Sequence, residues 1–263
     1  MKIIVCVKQV PDTNDVKTDV ETGRIIREGV VSMVNPDDRH AMEEALRLRQ
    51  KHGGSVIALS MGPMQAKNAL MQMLAMGADE GYLLCDPLFA GSDTWATAYA
   101  LGTCIQHLGL PDVILCGRQA TDGDTAQVGP QLAEYLGIPQ VTQVRAVVEH
   151  GAGFRVEAFM EEGYRVVKVA PPLLLTVSSE CNQPRYPNMI QIVQAHRKKK
   201  VTVLSAADIG ALAEFSGLNG SPTRVKRVFV PAPPPKGELF DGPPHEAVEA
   251  FIMKLKEYHL VPS

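Results

Sequence analysis

Four short apolar runs decide what this chain can fold into: Ile3–Val7, Ser55–Ser60, Gly81–Cys85 and Val113–Cys116. Each precedes a stretch whose apolar residues recur at helical spacing. Runs that are apolar throughout, rather than alternating with polar residues, are strands buried on both faces, as in a parallel sheet. Strands alternating with helices predict an α/β fold, a doubly wound parallel sheet with helices on both sides. Such connections are right-handed and leave a ligand crevice outside the carboxyl ends of the strands. The polar loops that follow these strands therefore share one edge of the sheet.

The stretch Asp112–Gly137 carries the most chemistry on that edge. Val113-Ile114-Leu115-Cys116 is the strand, Gly117–Asp124 a polar loop, and a helix follows, with Gly137 as C-cap and Pro139 as stop. Asp124 or Thr125 is placed to cap that helix. Gly129-Pro130 leaves two options: regular helix starting near Pro130, or a distorted first turn. Either way the backbone of Thr125, Ala126, Gln127, Val128 and Gly129 stays open. A helix start offers free N–H groups and the positive end of a dipole to an anion. The spacing matches neither GxxxxGK[ST] nor GxGxxG, so taken alone it is equally an ordinary βα loop. Asp122 and Asp124 suit capping or ribose hydroxyls better than phosphate.

The remaining loops read in the same way. Val16–Ile26 predicts a hairpin turning at Glu21–Arg24, and the first strand extends over Lys2–Val10. Asn35 is a cap for a helix that opens with Pro36, Asp37 and Asp38 and buries Ala41, Met42, Ala45, Leu46 and Leu48. Met61-Gly62-Pro63 leads into a Met-rich helix, Met64–Met76, which reads as adaptable core or interface. Ser92 or Asp93 caps the next helix, whose first turns carry the hydroxyls of Thr94 and Thr97 around Trp95. After Gly137 the texture changes. Gln140–Glu149, Phe154–Met160 and Tyr164–Val169 predict a small antiparallel excursion, and Leu173–Val177 re-enters the core. Ser178–Ile192 is a loop with a short helix, and Arg197–Lys200 a solvated basic helix end. Pro231–Pro235 is a stiff linker, and His245–Tyr258 has the spacing of a terminal helical arm. These readings divide the chain into a domain over 1–230 and a linker and arm over 231–263.

Composition removes whole classes. A net charge of -3 and a pI near 6.2 argue against a nucleic-acid protein, whose binding face is normally strongly basic. The five cysteines (Cys6, Cys85, Cys104, Cys116, Cys181) form no CxxC and read as reduced thiols of a cytoplasmic protein. The seven His lack ligand spacing, which argues against zinc. No signal or transit peptide is evident, and no apolar run reaches the ~20 residues of a membrane span.

Six blocks, in family order, add a resemblance: VCVKQVPD, VNPDDRHAMEEALRL, ALSMGP, AMGADEGYLL, GRQATDGDTAQVGP and NQPRYPNMIQIVQAHRKKK. The chain resembles the β subunit of electron-transfer flavoproteins along nearly its whole length. That resemblance implies a Rossmann-like, adenine-nucleotide-binding domain and a heterodimer with a larger α subunit that holds a redox-active FAD. It implies a nucleotide pocket walled by Cys6, Asn35–Asp38, Met61 and Asp122–Gly129. There, phosphates meet the N–H groups of Thr125–Val128, and Gly129 lets the backbone approach. In ordinary members the occupant is AMP, which carries no electrons. In electron-bifurcating members it is a second FAD, reduced by NADH. DGDTAQVGP, NPDD and GSDTWAT look like the bifurcating type, with Asp93, Thr94 and Thr97 toward the ribityl and ring portion. Partners would be an acyl-CoA dehydrogenase-type flavoprotein and a low-potential acceptor such as ferredoxin or flavodoxin. Asn182, Pro184, Arg185, Tyr186 and Met189 correspond to the family's docking loop. Met189 stands where the family usually has the Leu that plugs into the partner, and a flexible thioether fills such a pocket. A freestanding nucleotide sensor or hydrolase has no nucleophile–base–acid set, metal site or recognised lysine loop to support it.

Overall fold

The computed structural model describes residues 1–12, 31–198, 201–226 and 235–262. The chain opens with β1 (Lys2–Cys6) and β2 (Gln9–Pro11), then β3 (Ser32–Val34) leads into α1 (Pro36–His52). The alternation continues through β4 (Ser55–Met61), α2 (Lys67–Met76), β5 (Glu80–Leu84), α3 (Thr94–Leu108), β6 (Val113–Gly117) and α4 (Val128–Leu136). Next come β7 (Gln140–His150), β8 (Gly153–Met160), β9 (Gly163–Val169), β10 (Leu173–Val177), α5 (Met189–Lys198) and β11 (Val201–Leu204). The single-turn helices α6 (Ala206–Ile209) and α7 (Gly217–Gly220) follow, and α8 (Pro244–Glu257) comes last. By contacts the chain divides into two units, Met1–Lys226 and Arg227–Ser263.

In the first unit, nine strands make one sheet in the order β11–β5–β4–β1–β6–β10–β7–β8–β9. Pairing is parallel from β11 to β7 and antiparallel at β8 and β9. The strands sort their side chains by alternation. Ile3, Val5, Val56, Ala58, Val113 and Leu115 pack toward α1 and α2, while Ile4, Cys6, Leu59, Ile114 and Cys116 pack toward α3 and α4. This is the doubly wound sheet that the apolar runs predict, with the antiparallel excursion at one edge.

Two strands depart from the expectation. Lys2–Val10 is not one strand: β1 ends at Cys6, and β2 leaves to pair antiparallel with β3. The break follows from the hydrogen bonds, because Lys8 donates its N–H to the Asp38 carboxylate (2.7 Å) instead of to a strand. β11 was not anticipated; it pairs parallel with β5 at the far edge, with Thr202 and Val203 exposed. The hairpin expected over 16–26 and most of the Pro-rich linker lie outside the described residues, as do Lys199 and Lys200. In the excursion, the Arg145 guanidinium lies over the rings of Phe159 (5.3 Å) and Tyr164 (4.9 Å).

The second unit has little core of its own. Phe240 packs edge-on against Phe251 (5.7 Å), and Lys254 pairs with Glu238 at 3.5 Å. Val248, Ile252 and Met253 on α8 are exposed.

Candidate functional site

Strand order reverses at β1, which has β4 on one side and β6 on the other. Loops leaving such a pair run to opposite faces and open a crevice. Asp38, in the first turn of α1 and only 6 % exposed, fastens both of these strand ends. One carboxylate oxygen accepts from Lys8 N–H (2.7 Å), the other from Gly117 N–H (3.1 Å) and Asn35 Nδ2 (3.0 Å). Burial pushes its carboxyl up to about 7, against the three hydrogen bonds that favour the charge. Gly117 admits no side chain: a Cβ there would stand 2.3 Å from Asp38 Oδ1 and 2.8 Å from the Asp37 backbone. Beside it, burial raises the Asp37 carboxyl, opposed by Arg118 at 3.8 Å.

Asn35 occupies the cap position of α1, with Pro36 in its first turn, but its side chain makes no cap. It reaches into the loop after β6 instead, where Nδ2 donates to Gln119 O (2.8 Å) and Oδ1 accepts from Thr121 N–H (3.2 Å). The loop then folds on itself. Gly123 and Asp124 both donate to the Ala120 carbonyl, and Gln119 Nε2 donates to the Asp124 carboxylate. Asp124 (φ 52°) and Ala126 (φ 54°) are left-handed, which costs roughly 1–2 kcal/mol for a residue such as Ala. Strain of this kind persists where the surroundings over-determine it, as at ligand clamps. Among the described residues no carbonyl accepts from the N–H groups of Thr125, Ala126 or Gln127, and all three residues are exposed.

Neither Asp124 nor Thr125 caps the helix that follows. α4 begins at Val128, with Gln127 in the cap position and no side-chain cap, and Pro130 sits within its first turn. Gly129 also has a packing role in the fold. A Cβ at Gly129 would stand 2.6 Å from Thr176 Cγ2, so its missing side chain lets α4 lie close on β10. Gly123, by contrast, faces open space.

The start of α3 closes the group. Asp93 caps it, accepting from Ala96 N–H at 3.0 Å. Its other oxygen accepts from the N–H (2.9 Å) and hydroxyl (2.8 Å) of Thr223, and its own N–H donates to Ser221 Oγ (2.8 Å). These contacts hold its carboxyl below the usual range despite burial. Thr94 Oγ1 donates to Gln127 Oε1 (3.0 Å) and so joins the start of α3 to that of α4. Trp95 follows, 42 % exposed. Cys6, at the end of β1, hydrogen-bonds to Cys116; that bond and burial hold the Cys116 thiol well above its ordinary value. Hydrogen bonds thus bring together Asn35, Asp38, Thr94 and residues 117–127. Met61, at the end of β4, and Thr97, one turn into α3, share the edge and are half-buried. Sequence reasoning missed Gly117, Gln119 and Lys8, whose Nζ lies 2.8 Å from Asp122 Oδ1.

The segment expected to dock a partner hangs from the next turns of the same helix. Asn182 donates to His40 O (3.0 Å) and Glu44 Oε2 (3.3 Å). Arg185 grips Glu43 with Nε (2.7 Å) and Nη2 (2.9 Å), and its backbone N–H adds a third bond at 3.1 Å. Pro184 is half-buried, and the Tyr186 ring lies 4.9 Å from the Arg39 guanidinium while remaining 80 % exposed. Met189, 74 % exposed, begins α5, and with Ile190 and Val193 it forms an apolar strip. Glu43, Glu44 and His40 were not singled out from the sequence. Each partners a residue some 140 positions away, for which spacing gives no signal. No helix among the described residues is long and apolar enough to cross a membrane.

Residues 22–209 match the electron transfer flavoprotein domain. The chain is 51% identical over 261 residues to the electron transfer flavoprotein subunit beta of Thermoanaerobacterium thermosaccharolyticum, covering 99% of this chain and 100% of that protein. It is 46% identical over 263 residues to CarD of the caffeyl-CoA reductase-Etf complex of Acetobacterium woodii, again covering 99% and 100%. Against the acryloyl-CoA reductase electron transfer subunit gamma of Anaerotignum propionicum it is 40% identical over 267 residues, with the same coverage. With the domain match covering most of the crevice and the 182–198 segment, and relatives aligned from end to end, the chain belongs to the electron transfer flavoprotein family and stands with its β subunits.

Proposed function

We propose that this chain is the small subunit of a heterodimeric electron-transfer flavoprotein whose switch-point crevice holds an FAD reduced by NADH. The observation that carries the reading is the Thr94–Gln127 hydrogen bond, which joins two helix starts at one edge of the sheet. An adenylate engages one such start and has nothing left for the second, whereas a flavin adds a ribityl chain with hydroxyls to pair. The open N–H groups of Thr125 to Val128 take the diphosphate, since phosphates leaving water need donors already in place. Asp122 takes ribose hydroxyls, Thr94 and Thr97 the ribityl chain, and Cys6 and Met61 pack on a ring. Asp93, with both oxygens engaged by Ala96 and Thr223, holds α3 in place for them. Asn35, Pro36, Asp37 and Asp38 form the opposite wall. Bound there, FAD supplies hydride and one-electron chemistry that no side chain in the crevice has.

Electrons from NADH are bifurcated in this reading between a low-potential acceptor, such as ferredoxin or flavodoxin, and an acyl-CoA dehydrogenase-type flavoprotein. Two relatives take their names from CoA-thioester reductases, which favours that second partner. It docks on Met189 and Tyr186, presented by Asn182, Pro184 and Arg185. The exposed apolar residues of α8 pack on the large subunit.

Flavin stoichiometry of the purified heterodimer, with NADH as reductant, tests the proposal. Two FAD per heterodimer and NADH-driven bleaching support it. One FAD with one AMP and no response to NADH replaces it with a non-bifurcating carrier that uses the same pocket for a structural nucleotide.

A further inference from the structure

We infer that Lys8 is the phosphate-neutralising cation of the crevice, held by Asp122 until the phosphate of an entering nucleotide displaces that aspartate. The inference rests on the nucleotide reading above and deepens it. Lys8 is the second residue beyond β1, at the point where strand order reverses. Its backbone is pinned by the bond from its N–H to buried Asp38 (2.7 Å), so the root of the side chain is fixed while the ammonium is free to swing. That ammonium lies 2.8 Å from Asp122 Oδ1, in the loop that leads to α4.

The charges around the crevice show why such a cation is needed. Asp37, Asp122 and Asp124 lie on its walls, with Asp38 buried behind them and only partly charged at neutral pH, against Lys8 and Arg118. Arg118 lies 3.8 Å from Asp37. A dianionic phosphate brought to the α4 start therefore meets a wall of its own sign. The partial charge of a helix terminus is about half an elementary charge and does not cancel that field. Lys8 can do so at low cost. Its side chain is 47 % exposed, so the ammonium can leave without being uncovered, while the largely buried Asp122 carboxylate, 10 % exposed, needs new donors, which the ligand's hydroxyls supply. A phosphate offers the same ammonium more charge and more acceptor oxygens. Asp122, 10 % exposed, is then released beside the ligand with both oxygens able to accept from ribose hydroxyls. The exchange selects ligands by their 5′-phosphate, not by their base.

The test uses the nucleotide-depleted full-length chain, titrated calorimetrically with AMP, FAD and adenosine at low and moderate salt. Lys8→Met should weaken AMP by about tenfold or more, lower the salt dependence, and leave adenosine unchanged. Lys8→Arg should retain most of the AMP affinity, which separates loss of charge from loss of fold. Asp122→Asn should raise the preference for AMP over adenosine, because the carboxylate that competes with the phosphate for Lys8 is gone while the ribose acceptor is lost to both ligands alike. If Lys8→Met instead weakens both ligands alike, the pair is only a strut for the loop and the inference is overturned. An unchanged preference of Lys8→Met for AMP over adenosine overturns it as well, since backbone N–H groups then suffice. A parent chain that binds neither AMP nor FAD removes the nucleotide reading together with this one.

Discussion

The crevice and the 182–188 segment are fastened to the same helix by carboxylates of opposite electrostatic character. Asp38 is buried without a cation, its charge spread over two backbone N–H groups and an amide, and burial lifts it to about 7. Glu43 is also desolvated, but the hydrogen bonds and charge of Arg185 more than offset that and hold it below the usual range. The two fastenings therefore respond to pH with opposite signs. For Asp38 the folded value lies above the unfolded one. Its stabilising contribution is complete below about 4 and is lost as pH rises through about 7. For Glu43 the folded value lies below. Its contribution is present above the unfolded value near 4.3 and is lost as pH falls through the depressed one. Acid should loosen the segment around Arg185 while leaving the strand ends at Asp38 clamped.

The sharpest way to break this contrast is Asp38→Ala. It leaves two backbone N–H groups without an acceptor, at roughly 1–3 kcal/mol for each buried group, and takes from the Asn35 amide one of its two acceptors, Gln119 O remaining. We expect a loss of about 3 kcal/mol or more in urea unfolding, and a flatter pH dependence between about 4 and 7 in Asp38→Asn. A loss below about 1 kcal/mol would mean that water replaces the carboxylate. Next in size is Gly129→Ala, which forces a Cβ against Thr176 Cγ2 and should cost about 1–3 kcal/mol. Thr176→Ser removes that methyl and keeps the hydroxyl that accepts from Gln143 N–H, so the double variant should recover most of the loss. Without recovery, Gly129 serves the ligand and not the packing of α4.

At the other end, Glu43→Gln should cost roughly 1–2 kcal/mol, because Arg185 keeps some water and one good acceptor. Amide exchange over 182–188 should quicken in the variant, whereas the parent should show that quickening only on acidification. Equal rates in both would remove Glu43 as the fastening. The smallest effect on stability, within about 0.5 kcal/mol, is expected for exposed Met189→Ala. On the function proposed above, binding to an acyl-CoA dehydrogenase-type flavoprotein should nevertheless weaken by about 2 kcal/mol, with flavin reduction by NADH unchanged. Loss in both assays would place Met189 in the fold or the pocket.

These contrasts also mark what the sequence could show. Runs such as Ile3–Val7 and Val113–Cys116 carry their burial in their composition, so the sheet and its crevice edge were readable. β11 was not: Val201–Leu204 is an edge strand with Thr202 and Val203 exposed, following a basic run that reads as solvated. Asn35 and Pro36 were legible as a helix start. The direction of the Asn35 side chain was not, because two of its three partners lie 84 and 86 residues away. Lys8 looked like part of a strand, since nothing local announces an N–H taken by a carboxylate 30 positions on. Gly129 shows a related limit. A glycine beside a candidate anion site reads as room for the ligand, and the packing against Thr176 shows that it leaves room for a strand as well.

Placement of the chain's one tryptophan has a practical consequence. Trp95 sits in the first turn of α3, between the Thr94 bond to Gln127 and the Asp93 cap that joins Ala96 to Thr223. All indole emission from the chain therefore originates at a single turn on the rim of the crevice. The unlabelled protein carries its own optical gauge there, read at one wavelength and free of any second fluorophore of its kind.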